Sequence, residues 1–300
     1  MKYFYRLGTG LIFGLTLGIL NEGALLQVST AQPQVIAANK PAPAPTVTPK
    51  ATSPSGSAED LILFLRAFRD FSQGNALQTT SKLSLDAKTE GATLQSVVYI
   101  KAIAQKPKQF RVDISFKSED SSKARTYQVI SDGKTVWVYR PDTQQYLVQT
   151  YEQFDKSDDS FLIGSATSLY LNSPNDFQKT VTDEALAAIA ADPKMVASFY
   201  KETGTTFKGY QKDEANQNYA IYTWDDTQGA SSQMNLLISP QTSTIQQFVI
   251  TGKEKGMTLN LREVIVERVP NPKLAPNTFK FTPSATAKRV KSLSLSPFGE

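Results

Sequence analysis

Residues Val129–Val148 read VISDGKTVWVYRPDTQQYLV, and this stretch predicts three short strands joined by two tight turns. Ser131-Asp132-Gly133-Lys134 is the first turn, because Asp and Gly tolerate the positive φ that a tight hairpin needs. Thr135–Arg140 then alternates, with Val136 and Val138 on one face and Trp137 and Tyr139 on the other. Pro141-Asp142 turns the chain again, and Gln145–Gln149 returns with Tyr146 and Val148 facing opposite to Leu147. The pattern specifies antiparallel sheet, and nothing in it is catalytic.

The same period of two runs outward in both directions. Upstream, Thr79–Asp86, Val97–Ala104, Phe110–Phe116 and Arg125–Ser131 read as strands. Phe110, Val112, Ile114 and Phe116 share one side of theirs against Arg111, Asp113 and Ser115, the mark of a sheet with one buried face. Glu90-Gly91, Lys106-Pro107 and Ser118–Ser122 supply the turns. Downstream, strands are expected at Thr206–Lys212, Tyr219–Trp224, Met234–Ile238, Ile245–Thr251 and Met257–Glu267, with a short terminal strand at Phe279–Pro283.

Two helical regions interrupt this pattern. Ala58–Phe71 carries Leu61, Leu65 and Phe68 at helical spacing, with Ser57 as cap and Glu59 and Asp60 at the positive end. Ser160–Leu171 reads as a short apolar helix and Thr182–Ala191 as a second, and Asp192-Pro193 opens a third. Phe161, Leu162, Ile163, Leu169 and Tyr170 are more apolar surface than one short helix needs, so this helix must be buried against something or cover something. The fold expected is mainly β (α+β): about eleven antiparallel strands in one long curved sheet, with helices packed in its concavity.

Of the 300 residues, none is Cys and none is His. The first absence leaves no disulfide framework and no N-terminal Cys to carry a lipid. The second removes His-based zinc sites and Ser-His-Asp or Cys-His catalysis. The adjacent pairs Asp158-Asp159 and Asp225-Asp226 fall where caps and turns are expected, no phosphate-binding glycine loop is present, and no cofactor is implied. A net charge of +4 with scattered aromatics does not describe a nucleic-acid binder. Met1–Ala31 has a positive start, an apolar run over Leu11–Leu20 and a small-x-small site at Ser29-Thr30-Ala31, the form of a secretory signal peptide. Residues 32–57 form a Pro-rich linker, 58–291 the folded domain and 292–300 a tail.

Four motifs in order carry a family resemblance: Lys106-Pro107-x-x-Phe110, then Ser131-Asp132-Gly133-Lys134-Thr135-x-Trp137-x-Tyr139-x-Pro141, then Ile245-x-Gln247-Phe248, and Phe279-x-Phe281-Thr282-Pro283. Across residues 58–291 the chain resembles the outer-membrane lipoprotein carrier (LolA-like) superfamily of periplasmic half-barrels. The resemblance implies an eleven-stranded unclosed barrel with a helical lid. Its apolar interior would hold acyl chains of a lipoprotein or lipid passing between membrane-bound donor and acceptor proteins. It implies a soluble periplasmic monomer that is not an enzyme. The lining expected on this basis is Phe110, Val112, Ile114, Trp137 and Tyr139 from the sheet, with Leu162, Ile163 and Leu169 from the lid. The faces of Trp137 and Val136 point apart, so only one of them can line the cavity, and alternation alone leaves the choice open. Where the carriers place an Arg that holds the lid shut, this chain has Lys106. The same half-barrel could instead serve an envelope sensor or regulatory module that binds a lipid or protein partner.

Overall fold

The computed structural model describes residues 56–295, apart from 89, 91–92, 118–124, 158, 175–176, 214–215, 227–230 and 255–256. The signal-peptide and most of the linker expectations, and the turn at Ser118–Ser122, lie outside the described residues.

The chain opens with α1, Ala58–Phe71. Ser57 and Asp60 form a capping box, each side chain bonding the other's backbone N–H. The helix buries Leu61, Phe64, Leu65, Ala67, Phe68 and Phe71. Six strands follow: β1 (Ala76–Lys88), β2 (Thr93–Gln105), β3 (Gln109–Lys117), β4 (Arg125–Asp132), β5 (Thr135–Arg140) and β6 (Gln145–Thr150). A helical segment then holds α2 (Tyr151–Asp155), a 3-10 turn (Ser160–Ile163), α3 (Ser165–Asn172), α4 (Phe177–Thr180), α5 (Asp183–Ala191) and α6 (Pro193–Thr203). Five more strands complete the body: β7 (Thr206–Lys212), β8 (Asn218–Asp226), β9 (Ser231–Ser239), β10 (Thr244–Glu254) and β11 (Met257–Pro270).

All of these strands belong to one sheet, ordered β12-β6-β5-β4-β3-β2-β1-β11-β10-β9-β8-β7, where β12 is the two-residue strand Lys288–Arg289. The two meanders, β1–β6 and β7–β11, are stitched together by the β1–β11 pair, which runs from Leu77–Pro270 to Lys88–Thr258. β7 and β12 stand at opposite edges, so the barrel is not closed. Register assigns the faces. Ala104, Phe110 and Ser131 are partners across β2, β3 and β4, as are Ala102, Val112 and Val129. Val129 pairs in turn with Val138. This inner face meets the helices, and its residues join α1 and the lid in one buried cluster. At the far end of the sheet Phe64 of α1 packs on Tyr222 at 5.0 Å and Trp224 at 5.8 Å between ring centres. The Tyr222 hydroxyl donates to Asp60 O at 2.6 Å and that of Tyr210 to Asp60 Oδ1 at 2.7 Å, which pins the start of α1 to β7 and β8.

Two expectations need correction. Phe279–Pro283 is not a strand: it crosses the outer face, and the last pairing is instead Lys288–Arg289, parallel to Gln145–Tyr146 of β6. Ser160–Leu171 is not one helix, because Gly164 at φ +92° breaks it into the 3-10 turn and α3.

Candidate functional site

The inner wall and the lid meet at the middle of the sheet. Phe110 and Val112 are fully buried, and Ile114 is 1% exposed. From the lid, Leu162, Ile163 and Leu169 are buried in the same cluster. The 3-10 turn lies against β3, and α3 lies against β1 and β2. The six aliphatic and aromatic side chains expected from the sequence are thus brought together, packed as a closed interior.

Trp137 and Tyr139 are not part of it. Partners of Ile130 and Gln128, they occupy the outer face, while Val136 and Val138 are buried on the inner one. Phe281 from the C-terminal segment covers them, 6.2 Å from the Trp137 ring, 5.6 Å from Tyr139 and 5.3 Å from Tyr146. Of the two faces, that of Val136 is the one that meets the helices. An open groove of about 370 Å³ also lies on the sheet, lined largely by outer-phase residues that include Thr80, Tyr99, Lys101, Asp113 and Gln128. No lid residue lines it.

Lys106 opens the β2–β3 turn and does reach the helices. Its Nζ donates to Ser72 O, the cap of α1, at 3.0 Å, and lies 4.8 Å from the centre of the Tyr170 ring on α3. Tyr170 in turn donates its hydroxyl to Gly74 O at 2.8 Å. The carbonyl that Lys106 grips thus belongs to α1, and its contact with the lid is a cation over an aromatic face. Burial pulls the ammonium down to about 8 from its ordinary 10.5.

Glu263 is a site residue that pattern reading passed over. Its carboxylate accepts from Ser81 Oγ at 2.8 Å and from the backbone N–H groups of Ser165 and Ala166 at the start of α3. A signal was present in the sequence: Leu259, Leu261, Glu263 and Ile265 share one phase of β11, and a carboxylate in the buried phase of a strand calls for partners. The acidic residues do not fall as expected: Asp225 and Asp226 lie in β8 rather than in a turn, and Asp159 makes no side-chain cap to the 3-10 turn. Asp159 accepts from Leu295 N at 3.2 Å, and Asp225 from Gln233 Nε2 at 2.7 Å. Among the described residues no group of three or more His, Cys, Asp or Glu is placed to hold a metal, and no helix is long and apolar enough to cross a membrane.

No family model matches the chain, and no curated protein matches it. Solved structures do. LprF from Mycobacterium bovis is 11% identical over 75% of this chain and 99% of its own, with a TM-score of 0.39. A DUF1329 family protein from Desulfovibrio piger is 12% identical over 75% and 98%, with a TM-score of 0.33. A LolA superfamily protein from Nitrosomonas europaea is 8% identical over 74% and 97%, with a TM-score of 0.30. At these identities and scores the likeness assigns the chain neither a family nor a role.

Proposed function

We propose that the chain is an exported, non-enzymatic carrier or chaperone. It would shield the acyl chains of a lipoprotein or lipid between the inner face of the sheet and the lid, in the periplasm. One observation carries the reading. A segment of short helices lays Leu162, Ile163 and Leu169 on an apolar wall of Phe110, Val112 and Ile114, and separate polar contacts fasten it: Tyr170 with Lys106 and Gly74 O, α3 with Glu263, and Asp183 with Arg69 of α1. A lid fastened at points can lift, and what it uncovers is apolar. Each methylene buried there gains about 0.8 kcal/mol, so a long acyl chain supplies several kcal/mol against the cost of opening.

Two measurements test this. Mass spectrometry of protein purified from the envelope is expected to find an acyl-bearing species bound, on a chain that begins near Gln32. Replacing Leu162 or Leu169 by Asp is expected to weaken binding of a fluorescent fatty-acyl probe about tenfold or more, with the far-ultraviolet spectrum unchanged. Loss of that spectrum in both variants would make these residues ordinary core and remove the lid from the reading. A preparation with no acyl species, no probe binding and a stoichiometric protein partner would favour a sensor instead.

A further inference from the structure

Glu263 stands in the inner phase of β11 between Leu261 and Ile265 and is 1% exposed. Across the ladder its partners are Leu83 on β1 and Phe248 on β10. Its carboxylate joins Ser81 on the sheet to the first N–H groups of α3, so a single side chain ties wall to lid. The approach depends on Gly164. A Cβ there would stand 2.9 Å from Glu263 Oε1, and the φ of +92° disfavours any other residue. The side chains that face the carboxylate from β1, β10 and α3 are Ser81, Leu83, Phe248, Ser165 and Ala166, and none of them is charged or titrates in the ordinary range. Neutral donors offset part of the cost of keeping an ion from water, and no cation among the described residues offsets the rest. Burial accordingly pushes the carboxyl above its ordinary 4.5.

We propose that Glu263 is a proton-dependent release for the lid: when neutral it lets the 3-10 turn and α3 stay seated, and when ionised it favours lifting of that segment until water reaches the carboxylate. The direction follows from linkage. A proton binds more tightly to the closed form than to an open form in which the carboxyl is solvated. Acid therefore favours closure, and rising pH favours opening. This release acts whatever the lid covers, so it stands apart from the carrier reading.

Hydrogen exchange of the full chain, read over residues 160–172 from about pH 5 to about pH 9 and corrected for intrinsic rates, tests the proposal. Protection of this segment in the wild type is expected to fall with rising pH, tenfold for each pKa unit by which closure raises the carboxyl. Glu263→Gln, neutral and nearly isosteric, is expected to stay protected with no such slope. Ser81→Ala removes a donor that favours the ionised form, and is expected to move the fall to higher pH. A flat wild-type profile, or the same slope in Glu263→Gln, would overturn the proposal. Should Glu263→Gln not fold, the Ser81→Ala profile decides alone, and an unshifted or downward-shifted fall overturns it.

Discussion

At Lys106 two effects oppose each other. The bond to Ser72 O from a charged donor stabilises the folded chain by about 1.5–3 kcal/mol, and burial of the ammonium takes part of that back. Native Lys106 releases its proton near 8, whereas an unfolded lysine holds it to about 10.5. Between those values the unfolded chain binds more protons, so stability is expected to rise with pH across that window. Urea titrations at a series of pH values check this, and Lys106→Met, with no charge to bury, should lack the rise. Lys106→Ala is expected to speed exchange of a bound acyl probe, and Lys106→Arg, with its fork of donors, to slow it. Equal rates in all three would mean that the grip on α1 has no bearing on the lid. The position of Lys106 was legible because it sits at a fixed offset from Pro107 and Phe110 in an ordered set of motifs. The partner it grips was not, because α1 and the turn meet only through packing distant in sequence.

The strands of the sheet, though not their ends, were legible for a simple reason. A half-buried strand must alternate, and Phe110, Val112, Ile114 and Phe116 do so without interruption. The C-terminal segment has no such period, and its role depends on what lies beneath it. Phe281 stacks on an outer-face cluster of Trp137, Tyr139 and Tyr146, and Lys288 N then bonds Gln144 O at 2.8 Å beside the edge of β6. Leu293 and Leu295 finally turn inward and join the main cluster. The segment is thus a strap that crosses the outer face, covers the β6 edge and ends among the core residues, a guard against edge-to-edge pairing. Phe281→Ala is expected to cost about 1–3 kcal/mol, less than a fully buried Phe because the ring is only half covered. It should also expose residues 271–291 to limited proteolysis while leaving the exchange protection of the lid unchanged. Resistance equal to that of the wild type would mean that the β12 pairing alone holds the strap.

On the scale of the whole molecule, the sheet is built from two meanders far apart in sequence, yet they need not be two units. The β1–β11 pair joins them along twelve registered positions, and one buried cluster takes in residues from β1–β5, β8–β11, α1 and the lid. Opening one half would expose the inner face of the other, so the two are expected to unfold together. The chain supplies its own probes. Its two tryptophans lie in different halves, Trp137 on the outer face of β5 and Trp224 on the inner face of β8 against Phe64. Trp224→Phe leaves a reporter of the first half, and Trp137→Phe a reporter of the second. In each variant the urea midpoint by fluorescence is expected to match the midpoint by circular dichroism of the same protein, so that loss of packing at the substituted ring shifts both signals together. A fluorescence transition that precedes or trails the dichroism in either variant would mean that the β1–β11 seam yields first, and that the long-range pairing is a junction between two cooperative units rather than the centre of one.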